Sequence, residues 1–109
     1  MNLASALVEA RRFDEAAAVY RGVIARKPQH ADARYSLGMV LYLTGRVAEA
    51  RQTFGDLVRD QPGFAMGHFG LGIMAMEMND QATARAELQE ALRLKPDLTK
   101  AKEALATLR

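Results

Sequence analysis

Apolar residues recur along this chain at three- and four-residue steps, in blocks separated by short polar turns. The stretch from Ala31 to Pro62 shows the design most fully. Leu37, Val40 and Leu41 form one apolar stripe, and Tyr35, Met39 and Tyr42 form a second. Both have helical spacing, which predicts one helix covered on two sides, or one stripe held open for a ligand. A second helix, about Val47 to Asp60, turns Ala50, Phe54, Leu57 and Val58 inward. Gly45 stands between the two helices, where a left-handed residue suits a helix end. Pro62 ends the pair, because it has no N–H and disfavours helical geometry in the residue before it.

The same block repeats every 34 residues. Pro28, Pro62 and Pro96 are the only prolines and keep that spacing. Stacking at this period aligns Tyr20, Phe54 and Leu88, then Ala16, Ala50 and Ala84. It also aligns Leu3, Leu37, Leu71 and Leu105, and pairs Gly38 with Gly72. A fixed period of this length predicts a solenoid of helix pairs, since one pair cannot bury its apolar face without a neighbour. The units run about 1–30, 31–64 and 65–98, within one domain spanning residues 1–109. The first helix, Asn2 to Ala10, is short because four opening positions are missing. Its partner runs from Phe13 to about Arg26. The third unit pairs a helix from about Ala65 with one from Gln81 to Leu94. A last helix, Leu98 to Leu108, turns Ala101, Leu105 and Leu108 to one side and closes the array.

These columns resemble the tetratricopeptide repeat, whose pattern is Trp-x2-Leu-Gly-x2-Tyr, then Ala-x3-Phe, then Pro. The middle unit matches at Leu37, Gly38, Leu41, Ala50, Phe54 and Pro62, and the third at Leu71, Gly72, Ala75, Ala84, Leu88 and Pro96. The first matches at Leu3, Leu7, Ala16, Tyr20 and Pro28. The Trp column holds Arg34 and His68 and is unmatched. The resemblance implies an all-α, right-handed superhelical solenoid of three helix-turn-helix repeats plus a closing helix. It implies a non-catalytic module that binds a protein or peptide partner in a concave groove lined by the first helices. The groove columns are then Met1, Ser5 and Val8; Tyr35, Met39 and Tyr42; Met66, Phe69, Ile73 and Met76. Gly70 lies beside Phe69 and Ile73, where its missing side chain would let a ligand backbone approach. That approach would offset the roughly 1 kcal/mol that a mid-helix glycine costs relative to alanine.

One branch of the family holds carboxylate tails with Lys, Asn and Arg. The corresponding columns here are Met1, Ser5, Ser36, Met66 and Gly70, or, one repeat on, Tyr35, Met39, Gly70, Lys100 and Ala104. Neither frame supplies a charged clamp, so the expected ligand is an apolar or amphipathic segment. The alternatives are a self-assembling unit that pairs with a second copy, giving a homo-oligomer, and an accessory domain of a larger enzyme chain.

Composition narrows the picture further. Half of the 109 residues are hydrophobic, enough for a continuous core, and with no Trp that core must be built from Ala, Leu, Val and Met. Cysteine is absent, which removes thiol chemistry and disulfides and fits the cytoplasm. Fifteen basic and 13 acidic residues leave a net charge of +2. The arginines are scattered among acids, whereas a nucleic-acid site would cluster them. No run of 18 apolar residues predicts a membrane span. The start, MNLASALVEARR, does not read as a signal peptide. His30 and His68 lack the spacing of a helical zinc pair, and Gly67 to Gly72 lacks the strand and spacing of a dinucleotide loop. His30 is expected in an exposed linker, and His68 in a packing or surface role. No cofactor, metal or catalytic residue is expected.

Overall fold

The computed structural model describes residues 3–108. Seven helices follow in order: α1 Leu3–Glu9, α2 Phe13–Arg26, α3 Ala31–Leu43, α4 Val47–Asp60, α5 Ala65–Glu77, α6 Gln81–Leu94 and α7 Thr99–Thr107. Each packs on the next, and α3 also touches α5. The result is an all-α repeat solenoid.

Within each unit the helices are joined by the same turn. Gly45 donates to Tyr42 O at 3.0 Å and Arg46 to Leu41 O at 2.9 Å, a double closure of the helix end that requires a left-handed residue. Gly45 supplies it with φ of 83° and Asn79 with 59°. Arg11, in the same column, adopts φ of 62° despite its side chain. Its guanidinium lies 5.7 Å from the Phe13 ring centre, a cation–π contact on the far side of the turn. Between units, Lys27, Gln61 and Lys95 donate to Val23, Leu57 and Ala91 O, and the period-setting prolines follow.

The core follows the repeat. Ala16, Ala50, Ala84, Phe54, Leu57, Leu88 and Ala91 are fully buried, with Met74 and Ala75 beside them. A rule of packing emerges at the large residue of each second helix. The ring of Phe54 fills the space where a Cβ of Gly38 or of Gly70 would stand, 2.5 and 2.4 Å from the nearest ring carbons. Gly38 lies sixteen residues before Phe54, and Gly70 sixteen after. Leu88 lies likewise against Gly72, sixteen residues before it, at 2.9 Å. The cost of glycine inside α5 is therefore met by Phe54 and Leu88, not by a ligand. The expected role of Gly70 as an opening for a ligand backbone is corrected: that space is already occupied.

The leucine column is uneven. Leu37 is buried, Leu71 and Leu105 are half-buried, and Leu3 is 63% exposed. Ala10, just beyond the end of α1, is exposed as well. The reason is positional: among the described residues no helix precedes α1 to cover its outer side.

Ion pairs stitch the units across the second helices. Arg21 of α2 reaches Glu49 of α4 at 3.3 Å, and Arg51 of α4 reaches Asp80, the N-cap of α6, at 2.7 Å. Asp80 also accepts from Thr83 N at 3.2 Å. These partners, Arg51 foremost, hold the Asp80 carboxyl down at about 2.

Candidate functional site

Of the first helices α1, α3, α5 and α7, α3 and α5 pack directly on each other. Their predicted groove residues are differently placed. Tyr35, Met39 and Tyr42 of α3 are half-buried and lean on the core of the first two units. The Tyr35 ring sits 5.6 Å from that of Phe54, tilted by 52°, and burial raises its phenol above the ordinary value. Met66 and Met76 of α5 are half-buried against the C-terminal core, and Ile73 packs against both clusters. Phe69 is only 8% exposed and belongs to the C-terminal core itself. Gly70 is buried beneath Phe54. Met1 lies outside the described residues.

A hollow of about 270 Å³ opens between the first and second units. Its walls are Ser5, Val8 and Glu9 of α1, Tyr20 of α2, and Tyr35, Ser36, Met39, Val40 and Leu43 of α3. Tyr35 and Met39 therefore reach this hollow, together with Ser5 and Val8, while the α5 residues do not line it. A second hollow of about 300 Å³, also bounded by Tyr20, is lined by Leu3, Ala4, Val19, Val23 and Ala33 among others. Tyr20 explains both openings. It holds the position that Phe54 holds one unit later, but its neighbours sixteen residues either side are Ala4 and Ser36 rather than glycines. α1 cannot close as tightly onto α3 as α3 closes onto α5.

Sequence reasoning missed Leu43, which is 50% exposed at the end of α3. The signal was available: Leu43 shares a column with Glu9 and Glu77, and is the apolar member of a polar column.

His68 stands in the column that favours Trp. It is buried, with Nδ1 2.7 Å from Glu87 Oε1 and Nε2 2.7 Å from the Pro62 carbonyl. The carbonyl can only accept, so Nε2 donates to it. The ring thus ties the loop before α5 to the back of α6, a packing role. His30 is exposed and caps α3, accepting from Ala33 N at 3.2 Å. Among the described residues no group of three His, Asp or Glu side chains is placed to hold a metal. No helix there is long and apolar enough to cross a membrane.

The fold has many relatives among solved structures. The crystal structure of MamA matches with a TM-score of 0.86 and 20% identity, over 99% of this chain and 63% of that one. The structure of YrrB, described as a TPR protein with an unusual peptide-binding site, matches with 0.83 and 24% identity, over 94% and 53%. The first TPR of Spaghetti (RPAP3), bound to the HSP90 peptide SRMEEVD, matches with 0.90 and 14% identity, over 96% and 83%. The chain thus spans somewhat over half the length of the MamA and YrrB chains. At these identities the likeness is one of fold. No curated protein matches the sequence significantly. The sequence pattern of the tetratricopeptide repeat matches residues 1–62 and again 45–99. With the turns, glycines and proline period above, this places the chain in the tetratricopeptide repeat family.

Proposed function

We propose that this chain is a non-catalytic interaction module that binds an apolar or amphipathic peptide segment along its first helices. The observation that supports this best is the hollow between α1 and α3, walled by Val8, Tyr35, Met39 and the exposed Leu43. Such a surface offers apolar area to a partner while its polar atoms, Ser36 and the Tyr35 hydroxyl, remain to orient a backbone. Met39 is an adaptable lining residue, able to fit side chains of different shape. The stripe continues over Tyr42, Met66, Ile73 and Met76, with Phe69 supporting it from beneath. Two fold relatives are described as peptide binders, which agrees with this use of the architecture.

Burying one large apolar side chain of a ligand is worth roughly 1.5–3 kcal/mol. Two or three such side chains reach the micromolar range once association costs are met. The test is selection from a random peptide display library, followed by NMR mapping of a selected peptide on the labelled protein. Shifts should centre on Val8, Tyr35, Met39 and Leu43, and Met39→Asn should weaken binding about tenfold or more while circular dichroism stays unchanged. Shifts confined to α2, α4 and α6, or full affinity in the Met39→Asn protein, would refute the reading. Concentration-dependent light scattering separates a second copy in the groove from a foreign peptide.

A further inference from the structure

Apart from Asp97, which lies between α6 and α7, the carboxylates of this protein fall into two sets. Asp14, Glu15, Glu49, Asp56, Asp60, Asp80, Glu87 and Glu90 lie on the second helices or beside them, and every one is paired with an Arg or with His68. Glu9, Asp32, Glu77 and Glu103 lie on the first helices, and none makes an ion pair among the described residues. Across α1, α3 and α5 the one arginine is Arg34, which is 12% exposed and engaged with Asp60 at 3.0 Å. The free charge on the ligand-facing helices of the first three units is therefore negative, although the whole chain carries +2.

Two of these carboxylates stand against local preference. Glu9 is the last residue of α1 and Glu77 the last of α5, where the negative end of the helix dipole disfavours a carboxylate. The second helices show the opposite choice: α2, α4 and α6 each carry an arginine in the last turn. Among the described residues neither of the two misplaced charges makes an ion pair. Leu43 ends α3 in the same column, half-exposed between them, and Glu9 and Leu43 both line the hollow. No Lys or Arg does.

Resting on the groove reading above, we infer that the partner is a cationic–apolar segment. It places an apolar side chain against Met39 and Leu43, and a lysine or arginine toward each of Glu9 and Glu77. Packed helices lie about 8–10 Å apart, and α3 packs on α5 while α1 stands off α3, which puts the two carboxylates at least about 20 Å from each other. An extended chain covers that in about six residues at 3.3 Å each. The ligand is thus a basic residue, a mostly apolar span, and a second basic residue about six or more positions on. This is the reverse of the SRMEEVD peptide held by the Spaghetti (RPAP3) repeat, and it follows from the absence of a cationic clamp here.

The experiment uses the intact chain and three short synthetic peptides that share one leucine-rich centre. They carry lysine, serine or glutamate at the two flanking positions, and affinity is read by fluorescence anisotropy. The lysine peptide should bind about tenfold tighter than the glutamate peptide at low salt, with the difference shrinking as salt rises. Glu9→Gln and Glu77→Gln should each weaken the lysine peptide about two- to fivefold, the range of an exposed ion pair. Neither should alter the serine peptide. Equal binding of the lysine and serine peptides, an unchanged lysine affinity in the double Gln protein, or binding of none of the three would overturn the cationic requirement. The groove reading falls separately, if Met39→Asn leaves the serine peptide and the display-selected peptides at full strength.

Discussion

The two junctions between units are built on one plan and end differently. Between the second and third units, Phe54 enters a slot made by Gly38 and Gly70 and loses all exposure. Between the first and second, Tyr20 meets Ala4 and Ser36 and keeps 9% of its surface, with hollows beside it. The difference is two Cβ atoms. Where both flanking positions are glycine, the helices close over an aromatic ring and the junction is solid. Where they are alanine and serine, the helices stand off and leave space. Ion pairing follows the same division, since Arg51–Asp80 across the closed junction measures 2.7 Å. Arg21–Glu49 and Arg46–Asp14, across the open one, measure 3.3 and 3.9 Å. In a repeat array the rigid junction gives the frame and the loose one gives the opening.

The comparison breaks most visibly if the two aromatic residues are truncated. Phe54→Ala should destabilise the fold by about 3–5 kcal/mol, the usual range for a fully buried Phe. Tyr20→Ala should cost less, about 1–3 kcal/mol, because part of its surroundings is already empty. Thermal melts of both proteins decide the matter, and equal losses would mean that the junctions are alike in solution.

Gly70→Ala tests the slot directly. The new Cβ would stand 2.4 Å from the Phe54 ring, which has Gly38 on its other side and nowhere to retreat. Overpacking of this kind costs about 1–3 kcal/mol, against a gain of about 1 kcal/mol in helix propensity. A net loss in melting temperature is expected, and a net gain would show that the ring moves freely. Ser36→Ala, at the matching position of the open junction, should change stability by less than about 0.5 kcal/mol.

Much of this architecture was legible in the sequence. The proline period set the units, and the bounds read for α4 and α6 agree with the observed helices. Gly45 and Asn79 marked the left-handed turn, and Arg11 completes that column against its own preference. Gly70 was not legible in the same way. Helical spacing placed it beside Phe69 and Ile73, but the group that fills its space comes from α4, sixteen residues upstream. A pattern within one helix does not say which neighbour occupies a gap. The burial of Phe69 escaped for a related reason: a helix with two apolar stripes has a covered side and a second side whose cover depends on how tightly the array curves. Leu3 and Leu71 show the limit of column reasoning, because position in the array, not residue type, decides how much cover a leucine receives.

The closed junction should also be the acid-sensitive one. Asp80 is held at about 2 by Arg51 and by the Thr83 N–H, below its ordinary value near 3.8. A carboxyl depressed by folding contributes stability above its unfolded value and loses it as pH falls through the folded one. The contribution is present above about pH 4 and declines toward pH 2. Melting temperature should fall across that window, and Asp80→Asn should flatten the fall. An unchanged acid limb in that variant would place the sensitivity at the other lowered carboxylates, Asp60 beside Arg59 and Glu90 beside Arg93.

The smallest effect is expected from Tyr20→Phe, and it sharpens the contrast most finely. The substitution puts the residue of the closed junction into the open one while changing nothing but a hydroxyl. Among the described residues no buried side-chain polar atom lacks a partner, and the Tyr20 hydroxyl makes no hydrogen bond. It therefore faces the water of the hollows. Its removal deletes no internal bond, and the ring does not gain the glycine slot that makes Phe54 valuable. Stability should stay within about 0.5 kcal/mol of wild type. A rise to match the packing of Phe54 would mean that α1 can close over a phenyl ring without flanking glycines. The two Cβ atoms of Ala4 and Ser36 would then not be what holds the first junction open.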